Sequence, residues 1–153
     1  MTRGWCPFPL TILALAVSSC GPTASRLEDM NSLMVTLPSG KKILCQTMVR
    51  DIDLLRGMMF QDSLPPERGM LLMHPTEAIR PTYTYNVKIP LDFIWLDQNQ
   101  RVVEMAEKAP PCTTSSAKQC PLYGGRQKSR YVLELNAGQA AANGLKIGDS
   151  VAF

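Results

Sequence analysis

The stretch LDFIWLDQNQRVVEMA, residues 91–106, predicts a β-hairpin. Its first six residues are apolar except for Asp92, and a short apolar run of this kind is typical of a buried strand. Four polar residues, 97–100, can form a turn, after which the chain from Arg101 to Ala106 can pair back onto the first strand. The chain is therefore expected to build its core from paired strands.

The sequence on either side of this hairpin predicts further short strands. Residues 33–37 and 42–49 flank the turn sequence PSG at 38–40, which is typical of a second hairpin. Many short strands with short connections favour a sandwich or a barrel. The other predicted strands are 70–73, 82–85, 131–135 and 150–153.

Helices are predicted at only two places. Asp51 can cap a short helix, in which Ile52, Leu55 and Met59 would share the buried face. Residues 139–143 can form a second helix that ends before a glycine. We therefore expect a mostly β (α+β) fold, a compact antiparallel sandwich or barrel-like sheet with one or two short helices.

The composition indicates a single folded domain. The chain has 153 residues, of which 45% are hydrophobic and 19% charged, and its formal net charge is +3. Disordered chains carry fewer apolar residues and more net charge, and one domain spans roughly 100–200 residues. No long basic run accompanies the positive charge, so a nucleic-acid partner is not expected.

The first 31 residues predict where the protein is located in the cell. An apolar run from Leu10 to Val17 is too short to span a bilayer, which takes about 20 residues. It ends in VSSCG at 17–21, which resembles a bacterial lipobox, where the cysteine is lipidated and becomes the mature N-terminus. This predicts a signal peptide over 1–19, a lipidated N-terminus and tether over 20–31, and a single β-rich domain over 32–153. A plain secretory signal cut near 14–16, and an uncut anchor, are the alternatives.

Lipidation of Cys20 would place the protein on a bacterial membrane, facing the periplasm or the cell exterior. In such an oxidising compartment, Cys112 and Cys120 are predicted to form a disulfide within one long loop. Cys45 lies in an alternating strand and is expected to be a buried thiol. The predicted partners are the membrane, through lipidated Cys20, and an envelope small molecule, glycan or protein.

Six segments in a fixed order resemble one known family, the prokaryotic domain of unknown function number 192. The resemblance runs from about residue 35 to 153 and implies a compact, mostly β single domain without an established reaction. In the family, an aromatic-Trp-Met-Lys-Asn-Thr run precedes Pro-Leu-Asp, and TYTYNV at 82–87 stands in its place here. The segments are RGMMF at 56–60, GMLL at 69–72, NVKIPLD at 86–92, CPLY at 120–123, YVLELNAG at 131–138 and GLKIGD at 144–149.

Four polar residues are candidates for a ligand site. Asn86 and Asp92 bracket the IPL sequence at 89–91 and could line a polar pocket, although both could instead organise turns. Arg56 could pair with Asp92 or Glu134, or could clamp an anionic ligand. The same set would serve an envelope hydrolase, which is one alternative function.

A copper-handling function is the other alternative. Met58, Met59, Met70 and Met73 cluster in the sequence, and thioether and thiol ligands select copper(I), although methionine also fills irregular cores. A zinc site is not expected, since His74 is the only histidine. No catalytic constellation, metal or cofactor is predicted. The sequence therefore favours an exported, membrane-anchored lipoprotein acting as a non-enzymatic binding or accessory module.

Overall fold

A computed structural model describes residues 31–153, and this part of the chain forms one mixed β-sheet with short helices. The predicted signal peptide, Cys20 and the tether up to residue 30 lie outside the described residues. None of the described helices is both long and apolar enough to cross a membrane. The elements in chain order are β1 (Ser32–Thr36), β2 (Lys42–Met48), α1 (Asp51–Arg56), β3 (Arg68–Ile79), β4 (Leu91–Leu96), β5 (Val102–Ala109), a 3₁₀ helix (Ala117–Gln119), β6 (Lys128–Asn136) and α2 (Gln139–Ala142).

The six strands lie in the order β1-β2-β3-β6-β4-β5. Both predicted hairpins are present, as the antiparallel pairs β1–β2 and β4–β5. The mostly β fold with short helices is confirmed, but the sheet is mixed and does not close into a barrel. Strands β2 and β3 run parallel because the connection between them contains α1 and carries the chain back to the same end of the sheet.

Strands β4 and β6 lie in the interior of the sheet and bury side chains on both faces. Successive side chains of a strand point to opposite faces, so each strand contributes to two cores. Core 1 includes Val35, Ile43, Cys45, Leu71, Ile94, Leu133, Leu135 and Ala140. Core 2 includes Met58, Met70, Leu72, Phe93, Trp95 and Val132.

A long loop closes over one end of core 2. The predicted disulfide joins Cys112 to Cys120, whose Cα atoms are 5.7 Å apart. Gly124 follows it at φ +70, where an added Cβ would lie only 2.4 Å from the Trp95 ring. The Trp95 indole N–H donates to the carbonyl of Arg80 at 2.7 Å. The loop and the end of β3 therefore pack on one aromatic side chain.

Three local predictions differ from the structure. Residues 82–85 and 150–153 form only isolated bridges, because each residue pairs with a different part of the chain: Thr82 with Tyr123, Tyr85 with Cys112, Ser150 with Arg101 and Ala152 with Thr36. Helix α1 does not bury the predicted face, since Ile52 is 63% and Leu55 70% exposed. The helix has only six residues and covers a cavity instead of packing its apolar side onto the sheet.

Candidate functional site

A cavity of about 290 Å³ lies on the core 2 side of the sheet. It is enclosed by helix α1 and the loop after it, by both halves of β3, by residues 80–83 and by strands β4 and β6. The apolar walls include Leu54, Met58, Leu72, Phe93 and Val132. The polar lining consists of Arg56, His74, Arg80, Thr82, Tyr83 and Glu134 together with backbone groups. The site is thus an apolar recess with a small number of polar side chains.

Glu134 lies on the wall of this cavity that the sheet provides. It sits in β6 between Met70 of β3 and Phe93 of β4, and it is only 3% exposed. Its Oε2 atom has no hydrogen-bond partner among the described residues. Burial raises the pKa of Glu134 to about 8, although a hydrogen bond from the backbone N–H of Met58 acts in the opposite direction. At neutral pH the side chain is therefore mainly a neutral carboxylic acid with one O–H to donate.

The turn at the end of α1 is shaped to approach this carboxyl group. Gly57 has φ +46, a conformation that residues with a Cβ rarely adopt. A Cβ added there would lie 3.2 Å from Glu134 Oε1, so the absence of a side chain lets the backbone come close. The RGM sequence at 56–58 therefore combines a cation, a close approach and a backbone donor beside one buried acid.

Arg80 and His74 line the cavity from β3 and the segment after it. One terminal nitrogen of Arg80 donates to the carbonyl of Thr76 at 2.6 Å, while its Nε atom is buried without a partner in the described chain. Burial lowers the pKa of Arg80 from its usual value. Burial, and secondly the charge of Arg80, lower the pKa of His74 to about 4, so His74 is neutral at pH 7.

The structure divides the four predicted site residues. Arg56 and Glu134 line the same cavity, whereas Asn86 and Asp92 do not. Asn86 is exposed at φ +56, and its carbonyl accepts the N–H of Phe60. The hypothesis that Asn86 organises a turn therefore fits its position.

Asp92 faces core 1, since it pairs in register with Leu135 of that core. Its two carboxyl oxygens accept the backbone N–H groups of Lys108 and Ala140, each at 2.8 Å. It therefore joins β4 to β5 and to the start of α2. A molecule in the cavity lies on the other face of the sheet from this carboxylate.

The methionines and the free cysteine do not share one site. Met58 and Met59 line the cavity, but Cys45 lies in core 1, and burial raises the pKa of its thiol to about 12. Within residues 31–153 no three His, Cys, Asp or Glu side chains are grouped as metal ligands.

Sequence reasoning missed Arg80, Tyr83 and the place of His74 in the cavity. Arg80 directly follows β3, a twelve-residue strand whose pairing with β6 shifts register between Met73 and Ala78. His74 lies within this irregular part of the strand, and both residues line the recess. An arginine directly before a proline is not part of any sequence pattern that predicts a place in a cavity lining.

Two of three comparisons with known proteins find similar proteins. The model of the DUF192 family, described as an uncharacterised ACR, matches residues 34–153, so the chain belongs to this family and the resemblance seen in the sequence is confirmed. A protein of unknown function from Novosphingobium aromaticivorans DSM 12444 has a TM-score of 0.66 and 27% identity, covering 80% of this chain and 84% of that one. A search of curated proteins finds no match.

A second solved structure is similar in fold alone. It is a protein from Sinorhizobium meliloti 1021, described as a candidate transcription regulator, with a TM-score of 0.67 and 23% identity. The similarity covers 78% of this chain and 89% of that chain.

Proposed function

We propose that this member of the DUF192 family is a non-enzymatic binding module, which holds a small molecule in the cavity beside Glu134. We further propose that a lipid on Cys20 anchors it to the bacterial envelope. The cavity proposal rests on described residues and the anchor proposal on the lipobox-like sequence at 17–21, so each has its own experiment.

The carboxyl group of Glu134 carries the binding proposal. A buried polar atom without a partner costs about 1–3 kcal/mol, and such atoms are rare in native proteins. Glu134 Oε2 is such an atom, and it belongs to a residue that lines the recess. A bound molecule that accepts a hydrogen bond from this group would recover that cost. Protein recesses with apolar walls and a few polar groups are typical sites for small ligands.

The geometry favours binding over hydrolysis at Asp92. The two oxygens of Asp92 already accept backbone N–H groups that hold two elements together, and the residue is fully buried in core 1. A substrate in the cavity would lie across the sheet from it. The cavity itself supplies one neutral acid, two arginines and the neutral imidazole of His74, whose lowered pKa of about 4 makes it a weak base for activating a water molecule.

Native purification tests the binding proposal. We expect mass spectrometry of the full chain, isolated from membranes, to detect a co-purifying small molecule in near-stoichiometric amount. Glu134→Leu, which removes the polar atoms and keeps an apolar surface, should abolish it. The matched control is Asp92→Asn, a change to a buried acid on the other face of the sheet, which should retain the molecule. Equal retention by Glu134→Leu, or no molecule in any sample, would overturn the proposal.

Two features support export and anchoring. The apolar run and VSSCG sequence resemble a lipoprotein signal, and the disulfide Cys112–Cys120 is of a kind that persists in oxidising compartments. Cys20→Ala should release the protein from the membrane fraction, because a lipidated cysteine would be its attachment. Cys45→Ala is the control, since that thiol lies in core 1. A Cys20→Ala protein that stays as membrane-bound as the parent would overturn the anchor.

A further inference from the structure

Building on the proposed binding function, we infer that the ligand is an amphipathic carboxylate, whose anionic group accepts hydrogen bonds from Glu134 and Arg80 and whose apolar part fills the recess. This assigns a chemical class to the occupant of the cavity. The inference depends on three independent features of the described residues: unpartnered donors, the charge of the lining, and the size and polarity of the walls.

The unpartnered atoms define what the ligand must accept. In residues 31–153 four side-chain polar atoms are buried without a partner, namely Arg80 Nε, Ser129 Oγ, Arg130 Nε and Glu134 Oε2. Two of these four belong to residues that line the same cavity. Arginine Nε can only donate a hydrogen bond, and a protonated carboxyl group has one O–H to donate. A ligand that satisfies both atoms must offer acceptor oxygens, and a carboxylate offers two.

The charge of the lining selects an anion. Arg56 and Arg80 are cations, and among the described residues Glu134 is the only acid that lines the cavity, while Asp53 interacts with the charge of Arg56 from outside the lining. Other cations on this part of the described chain are neutralised by acids, as Arg50 is by Asp53 and Lys88 by Asp62. The recess therefore carries an excess of positive charge, which attracts a carboxylate and disfavours an ammonium group.

The walls select an apolar body of modest size. A volume of about 290 Å³ is just below the range for small-molecule sites, about 300–1,000 Å³. Leu55 and Ile79 line the same recess but are 70% and 50% exposed, so they provide apolar surface at its mouth. A short acid would fit inside, and a longer chain could leave across these two residues.

The proton on Glu134 makes binding depend on pH. The Met58 N–H donates to it, and the other titratable groups that line the cavity with it are Arg56, Arg80, His74 and Tyr83. Above pH 8 the Glu134 carboxylate would repel the ligand and could not donate to it, while His74 stays neutral throughout this range. Glu134→Gln keeps a neutral donor of similar shape, so it should bind the carboxylate and lose the decline at high pH.

Octanoate, octan-1-ol and octylamine are the probes, because they share one apolar chain and differ in the head group. The full chain in lipid nanodiscs, with empty nanodiscs subtracted, is titrated while the ¹³C-methyl signal of Met58 reports occupancy. We expect octanoate to bind about tenfold more tightly than either other probe, equivalent to 1.4 kcal/mol.

The variant Arg80→Gln should weaken the binding of octanoate by about tenfold and leave the binding of octanol unchanged, because it removes a charged donor. Where Arg80→Gln does not fold, Arg80→Lys serves, since it keeps the charge and loses Nε.

The outcomes separate this inference from the proposed function. If octylamine or octanol shifts Met58 at lower concentration than octanoate, the ligand class is wrong while the cavity remains a binding site. If no probe shifts Met58 and the natively purified chain carries no molecule, both proposals fail. A co-purifying amine would also overturn the carboxylate alone.

Two sources of the carboxylate can be distinguished in the same assay. Hexadecanoate supplied in the nanodisc bilayer represents an acid drawn from membrane lipid, and 3-phenylpropionate in solution represents a soluble acid. Saturation of the Met58 signal by either one supports the inference and identifies the source. Failure of both, together with octanoate, overturns it.

Discussion

Glu104 and Glu134 are two buried glutamates on the same face of one sheet, yet their environments are opposite. They lie in register with Trp95 and Phe93, two aromatic residues of core 2, and are 2% and 3% exposed. Glu104 accepts hydrogen bonds from Arg126 Nε at 2.6 Å and from the backbone N–H groups of Arg126 and Gln127 at 3.0 and 3.2 Å. Glu134 has an unpartnered oxygen and faces the cavity.

The difference shows how hydrogen-bond partners influence the charge of a buried acid. Burial acts to raise the pKa of Glu104, but the hydrogen bonds from Arg126 and Gln127 and the Arg126 charge together lower it below its usual value. Burial raises the pKa of Glu134 to about 8, and there one hydrogen bond, from the Met58 N–H, acts against it. Glu104 is therefore a structural carboxylate that ties a loop to β5, while Glu134 is a neutral group available to a ligand.

Replacing Glu104 tests whether this glutamate is structural, and it should have the largest effect on the free energy of unfolding. Glu104→Leu leaves the N–H groups of Arg126 and Gln127 without their acceptor, so the free energy of unfolding should fall by about 3 kcal/mol in denaturant titrations. Arg126→Ala should cost less, because its side chain is 78% exposed and the backbone bonds remain. Unchanged stability in Glu104→Leu would remove the contrast between the two glutamates.

Replacing Glu134 should have a smaller effect on stability. Glu134→Leu removes a buried unpartnered oxygen but also the acceptor of the Met58 N–H, and because these two effects oppose each other the free energy of unfolding of the ligand-free chain at pH 7 should change by no more than about 1 kcal/mol. The same variant should lose its co-purifying molecule. A loss of stability as large as that of Glu104→Leu would show that Glu134 is structural after all.

Gly57 tests how closely the backbone packs against the Glu134 carboxyl group. Gly57→Ala should lower the free energy of unfolding by more than the about 1–2 kcal/mol that a side chain at positive φ costs, because its Cβ also meets the carboxyl group of Glu134. Gly144→Ala is the matched control, since Gly144 also has positive φ but its added Cβ meets nothing within 4 Å. Equal losses in the two variants would show that contact with Glu134 adds nothing.

The pH dependence of stability should show the smallest change and should arise from Glu134. Between pH 6.5 and 7.5 the folded carboxyl group, with a pKa of about 8, holds a proton that the unfolded chain, near 4.5, has released. Stability should therefore fall by about 1 kcal/mol per pH unit as pH rises. Glu134→Gln should remove this slope in thermal or denaturant unfolding, and a slope that persists would contradict the assignment.

His74 acts in a separate and lower pH window. Its folded pKa of about 4 lies below its usual value of 6.5, so its contribution to stability is present above pH 6.5 and is lost as pH falls towards 4. Measurements above pH 6.5 therefore isolate Glu134 from the histidine.

Much of the fold could be predicted from short-range pattern. The apolar run of β4, the turn that follows it and the alternation of β6 all lie within a few residues, and a strand face repeats every two residues. The parallel pairing of β2 with β3 was not predicted, because it depends on where a six-residue helix returns the chain. Periodicity alone also misled at Ile52 and Leu55, since so short a helix does not bury a full face.

The candidate site was only partly predictable. Glu134 and Arg56 could be named because a charged residue inside an alternating strand and an Arg-Gly pair are both visible in the sequence. Arg80 and His74 could not be placed there, because they lie just after and within a strand whose pairing with β6 shifts register.

The sequence by itself determined the mostly β fold, its family and the Cys112–Cys120 pair, since each depends on local order along the chain. Only the tertiary structure decided which buried acids have hydrogen-bond partners for both carboxyl oxygens. Asp92, Glu104 and Glu134 are alike as carboxylic acids in strands, and nothing beside them in the chain separates them. Their hydrogen-bond donors come from elements far away in sequence, so the identity of the unpartnered acid emerges only when the sheet and its loops are assembled.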